Sequence, residues 1–209
     1  MANQNTLAFT IQGGGVSNLT PSIGIGYPAT TLTPQTDIPN DYYWVVILNA
    51  NDPGTLIKDY VMPGWANQSV PAGLDKFLTN PEVIFVVATK QLSLQHVPTG
   101  DWYDYLITYG ASRELQRLNQ LSTTLQPGVF TGAGYVLTGM GGPRGGSNVP
   151  PQSYELSTIT KPATIVAMSL MGTNGKPPYF LIDSYTVNTK IPSNDSDASY
   201  GGQAAKAEA

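Results

Sequence analysis

Residues able to do acid–base or nucleophilic chemistry are few and scattered. There is one histidine, His96, in a stretch that leads into Pro98. An imidazole working as a general base needs a nucleophile and an orienting carboxylate within hydrogen-bond reach. Ser93, Asp101 and Asp104 stand near it in sequence, but no Gly-x-Ser-x-Gly turn lifts a serine out of a sheet. His96 therefore reads as a loop-packing side chain. Asp101 and Asp104 would share one helical face, where two carboxylates could trade a proton or hold a hard cation. Capping a helix accounts for Asp101, and solvent accounts for Asp104. Asn194, Asp195 and Asp197 lack the glycine and terminal glutamate that a calcium loop needs. The chain has no cysteine, which removes disulfides, thiolate zinc sites and cysteine nucleophiles together. No catalytic residue, metal ligand or cofactor is expected.

Binding chemistry is better represented. Gly139, Gly141, Gly142, Gly145 and Gly146 surround Met140, Pro143 and Arg144. A Walker loop would end in Gly-Lys-Ser/Thr, and a dinucleotide turn would need glycine at position 144. The run instead offers backbone amides and one planar guanidinium to an anion or a polyhydroxyl ligand. Tyrosine and tryptophan rings stack on sugars as readily as they fill cores. Trp65, in Pro63-Gly64-Trp65-Ala66-Asn67, reads as a loop residue, and Trp102 as the first aromatic of a helix. The expected ligand contacts are Gly139, Gly141, Gly142, Arg144, Trp65 and Trp102.

The elements that would carry them follow from periodicity. Leu7, Phe9 and Ile11 alternate with polar residues, a half-buried strand that ends at Gly13-Gly14-Gly15. The stretch from Ser17 to Asn40 is rich in proline and threonine, with an edge strand expected around Ile23 to Tyr27. Tyr42 to Leu48 and Glu82 to Thr89 are apolar on both faces, which marks central strands covered on both sides. Asn51-Asp52-Pro53-Gly54 is a turn that returns the chain through Thr55 to Val61 as a hairpin. Pro71 opens a short helix with Leu74, Phe77 and Leu78. Asp101 is the expected cap of a second helix and Ser112 of a third. Gly134 to Thr138, Thr164 to Met171 and Tyr179 to Val187 are further strands. Beyond Ser193 the polar tail has too little apolar surface to fold. One domain over 1–192 is expected, with a β addition at 151–192 and a disordered tail at 193–209.

Composition narrows the partners. Only 11% of residues are charged, against a usual ~25%, and the net charge is −4. Ten scattered lysines and arginines cannot neutralise a polyanion, so nucleic acid is not an expected partner. No apolar run is long enough to span a bilayer. The first residues, MANQNTLAFTIQGGG, lack the basic and apolar regions of a signal peptide, so a cytoplasmic location is expected, with release by a signal-less route. On that expectation the Asn-x-Ser/Thr triplets at Asn18, Asn67 and Asn194 are chance matches.

Taken in order, VVILNANDPGTLIKDY, LDKFLTNPEVIFVVAT, the YGAS step after a helix and GYVLTGMGGPRG resemble one family. It is the interleukin-like EMT inducer (ILEI) or PANDER-like domain, also called the GG-type lectin domain, over about residues 42–146. The resemblance implies an α+β, predominantly β fold: two twisted, mostly antiparallel sheets flanked by two or three short helices. It also implies a non-enzymatic role, in signalling or in carbohydrate binding. Lys90-Gln91 stand where sugar-binding members carry acidic residues, and Ala133-Gly134-Tyr135 where they carry Arg-Asp/Asn-Trp. Gly139, Gly141, Gly142 and Arg144 match the family's glycine loop. The expected function is a non-enzymatic binding module for a glycan or a protein surface, able to form homo-oligomers. The alternative is a structural, self-assembling protein of a phage-like or lattice assembly.

Overall fold

The structure, a computed structural model, describes residues 6–15, 19–26, 30–35, 37–52, 54–125, 131–142, 153–159, 161–170 and 179–187. It is a mostly β fold of two antiparallel sheets and three helices. The strands are β1 (Thr6–Gly13), β2 (Ser22–Ile25), β3 (Thr30–Leu32), β4 (Tyr42–Asn49), β5 (Leu56–Pro63), β6 (Val83–Lys90) and β7 (Leu92–Ser93). After them come β8 (Thr131–Met140), β9 (Ser153–Ile159), β10 (Ala163–Leu170) and β11 (Tyr179–Val187). The helices are α1 (Asp75–Leu78), α2 (Gly100–Thr108) and α3 (Arg113–Thr124), with 3-10 turns at Gly64–Ala66 and Leu94–His96.

The central sheet has the order β5-β4-β6-β8, with β9 on the far edge of β8. β7 pairs the same edge of β8 as β6, after a break at Gln91, whose φ is +44°. The two doubly apolar runs are the neighbours β4 and β6, with Trp44 opposite Ala88 and Val46 opposite Val86. Their alternation explains the burial on both sides. Tyr43, Val45, Ile47, Phe85, Val87, Tyr135 and Leu137 face a core closed by Trp102, Leu106, Leu115 and Leu118 of the helices. Trp44, Val46, Leu48, Ile84, Val86 and Val136 face the second sheet and meet its Ile11, Ile23 and Ile165. The molecule thus has three layers: helices, central sheet and second sheet.

The second sheet has the order β11-β10-β1-β2-β3. The N-terminal and C-terminal strands meet here, since β1 lies between β10 and β2. Several expectations are corrected. β2 is interior and not an edge, because β3 covers it. β9 was not foreseen, and the β addition is split, with β9 in the central sheet and β10 and β11 in the second. Helix α2 begins at Gly100 behind Thr99, so Asp101 sits in its first turn and is not the cap. Ser112 stands at the start of α3 but does not cap it with its side chain. Among the described residues no helix is long and apolar enough to cross a membrane. The tail from residue 193 and positions 143–146 of the glycine run, Arg144 among them, lie outside the described residues.

Candidate binding surface around Trp65

At the Lys90 end of the central sheet, Tyr42 of β4 lies opposite Pro63 of β5 on one side and Lys90 of β6 on the other. Four residues here are organised by Asp41, just before β4. Its N–H donates to the Lys90 carbonyl at 2.7 Å, and its own carbonyl accepts the Gly64 N–H at 2.7 Å. One carboxylate oxygen accepts the Ser93 N–H at 2.8 Å, and the other pairs with Nδ1 of His96. The His96 carbonyl accepts the Tyr43 hydroxyl. Burial, with Asp41 adding to it, holds that phenol well above the usual tyrosine range. Lys90 is buried and donates to the Ile38 carbonyl at 2.5 Å, with the exposed Asp37 carboxylate 3.4 Å away. A lysine buried this deeply is rare unless paired.

Trp65 projects from this framework. It is 68% exposed, while Gly64 beneath it is buried. The Tyr42 and Trp65 ring centres are 6.1 Å apart and the rings cross at 82°, an edge-on packing that fixes one side of the indole and leaves it open to solvent elsewhere. The turn is tied down further on, where the Asn67 side chain donates to the Val97 carbonyl at 2.9 Å and the Thr99 N–H donates to the Asn67 carbonyl at 2.9 Å. Asn67 is buried in doing so, which closes its Asn-x-Ser triplet to a glycan. Beside Trp65, Val61 at 38% and Ile57 at 42% are the other exposed large apolar side chains of the described residues.

The expected contact residues do not assemble. Gly139 is buried inside β8, opposite Phe85 of β6 and Ser153 of β9. The Gly141 N–H donates to the Val83 carbonyl at 2.9 Å, and the Gly142 N–H to the Leu78 carbonyl at 2.7 Å. A Cβ on Gly141 would sit 2.2 Å from the Asn80 carbonyl oxygen, and Gly142 has φ +107°. These glycines stand at the Val83 end of β6, and Trp65 stands at the Lys90 end. Eight strand residues at about 3.3 Å each put roughly 23 Å between those ends. Trp102 is fully buried against Tyr43 and Tyr105, so it builds the core under α2 and offers no surface.

Sequence reasoning gave no site role to Asp41 or Asp37, named Tyr42 only among the aromatics and Lys90 only as a departure from the resembled family, and set Asp101 and Asp104 beside His96 in place of Asp41. The carboxylate beside His96 comes from 55 residues upstream, not from Asp101 or Asp104. Only the position of Asp41 ahead of an apolar strand, where a turn must form, hinted at it. Among the described residues no three His, Asp or Glu side chains gather as a metal site. No family model and no curated protein matches the chain.

Proposed function

We propose that this chain is a non-enzymatic binding module whose contact surface is the Trp65–Tyr42 ledge, with a carbohydrate as its ligand. The exposed indole carries this reading. Burying such a side chain is worth about 2–3 kcal/mol, yet this one is held out on a turn bonded at both ends. Exposed aromatic faces suit the apolar faces of pyranose rings, and Asp37 supplies a solvent-facing acceptor for hydroxyls in the same neighbourhood. The resemblance to the ILEI domain supports the same ligand class, and its glycine loop gives way to Trp65 as the contact. The sparse cations argue against a nucleic-acid partner. A cysteine-free chain suits the reducing cytoplasm.

The test is a glycan array followed by titration of the best oligosaccharide against the whole chain and Trp65→Ala. The variant should keep its melting temperature, because the lost ring is mostly in water. Its affinity should fall at least about tenfold. Equal affinity in both proteins would move the site elsewhere, and an array with no binder would remove the ligand class. A second reading, self-assembly, is favoured by Ile57, Val61 and Trp65 lying along one sheet edge. Light scattering on the same two proteins separates it: an oligomer that Trp65→Ala dissolves would replace the carbohydrate reading.

A further inference from the structure

The Gly64–Ala66 turn could be held at its far end by Asn67 alone, yet its near end is built around one residue in an unfavourable conformation. Asp41 has φ +67°, a left-handed region that costs a residue with a Cβ and that aspartate and asparagine enter more readily than others when the side chain finds local bonds. Four segments impose it here. The Lys90 carbonyl takes its N–H, the Gly64 N–H takes its carbonyl, and Ser93 and His96 take the two carboxylate oxygens. The fit to Gly64 is close. A Cβ there would lie 2.6 Å from a carboxylate oxygen of Asp41 and 2.8 Å from its carbonyl oxygen. Only a glycine lets the turn pass so near. The next residue, Tyr42, is the ring that meets Trp65.

We infer that Asp41 is the positioning residue of the Trp65 surface: its carboxylate, anchored by Ser93 and His96, holds the left-handed backbone that seats Gly64 and aims Tyr42 at the indole. The inference rests on the proposed role of Trp65, which it deepens by naming what sets the indole's pose. In Asp41→Ala the left-handed backbone loses the side-chain bonds that hold it. The chain relaxes to negative φ, the Gly64 N–H loses its acceptor, and Tyr42 turns away from Trp65. Asp41→Asn keeps an oxygen for the Ser93 N–H and a residue type that tolerates positive φ.

The experiment labels the whole chain with 5-fluorotryptophan and follows its three tryptophans by fluorine NMR, with Trp65→Phe assigning the exposed one. In Asp41→Ala the Trp65 line should shift and broaden while the buried Trp44 and Trp102 lines stay in place. In Asp41→Asn the Trp65 line should return towards its original position. A merely structural role would move all three lines, or would move them equally in both variants, and would overturn the inference. So would a Trp65 line that Asp41→Ala leaves untouched. If Asp41→Ala unfolds, Asp41→Gly takes its place: glycine tolerates the backbone angle but leaves it unanchored, so the Trp65 line alone should broaden, and a Trp65 line as sharp as in the parent chain overturns the inference. The readout needs no sugar. A failed glycan titration sinks the ligand class and leaves this result standing, whereas an unmoved Trp65 line sinks the positioning role alone.

Discussion

Buried phenols should weaken this fold in alkali. Tyr43 and Tyr135 lie fully inside the helix-side core. Burial is the main cause that raises both well above the usual tyrosine range, with Asp41 adding to it at Tyr43 and Glu155 at Tyr135. The Tyr135 hydroxyl donates to Glu155 at 2.9 Å, a bond only the neutral phenol can make. Up to about pH 10 folded and unfolded chains both keep these protons. Above it the unfolded chain releases them and the folded chain does not, so stability falls by about 1.4 kcal/mol per pH unit for each such phenol. Absorbance titration at the phenolate band should therefore show a late group of tyrosines that ionises only as the fold is lost. Full titration of all twelve tyrosines with the native circular dichroism intact would contradict the buried assignment. At this scale Trp102 and Trp65, both expected as contacts, also part company, the one buried and the other exposed. Both are tryptophans beside turn signals in the sequence, and nothing local says that one closes a core while the other stands in water.

Among the elements, α3 shows how a helix can be finished by a distant strand. Glu155 of β9 accepts the N–H groups of Ser112 and Glu114 at 2.8 Å and of Leu115 at 3.2 Å, as well as the Ser112 hydroxyl. A carboxylate there satisfies the orphan donors of the first turn and meets the positive end of the helix dipole. Glu114 and Arg117 return the favour by bonding Ser157 of β9. The strands β4 and β6 were legible because their apolar runs leave no polar face. The strand β9, SYELSTI, was not, since its polar residues serve α3 and so hide the inward pattern. Ser112 looked like a cap by type, and the real cap lay 43 residues away. The glycine run carries a similar ambiguity. Gly141 and Gly142 serve the close approach of β8 to the segment after α1, a packing demand that in sequence looks the same as a ligand loop. Gly141→Ala should therefore lower the melting temperature markedly, because the Asn80 carbonyl 2.2 Å from the added Cβ is backbone and cannot swing aside. Chemical denaturation would measure it, with a loss of about 1–3 kcal/mol expected. An unchanged midpoint would return those glycines to the ligand-loop reading.

For the whole molecule, residues 42–146 are expected not to fold as a free-standing unit. That span supplies β4, β5, β6, β7 and β8 with the three described helices, and so every buried residue of the helix-side core, with only Ile159 of β9 packing on it from outside. It leaves the opposite face bare. Trp44, Val46, Leu48, Ile84, Val86 and Val136 are all buried, and the cover comes from Ile11 and Ile23 before the span and from Ile165 after it. The cover cannot be assembled from one side, because β1 pairs β2 along one edge and β10 along the other. Past the end of β1, the Gly14 N–H donates to the Thr89 carbonyl at 2.7 Å and the Gln91 N–H to the Gly14 carbonyl at 2.6 Å, joining the two sheets directly. Burying each large apolar side chain contributes about 1.5–3 kcal/mol, so baring six of them removes roughly as much as the net stability of an ordinary domain, about 5–15 kcal/mol. A fragment of residues 42–146 should then be expressed as aggregate or as a loose, dye-binding state with helix and strand signals but no cooperative melt. Supplying residues 1–41 in the same chain should not restore it, because β1 would still lack β10. Restoring both flanks should return a single sharp transition. A fragment 42–146 that is monomeric and melts cooperatively would show that the span stands alone and that the second sheet is an attachment to it.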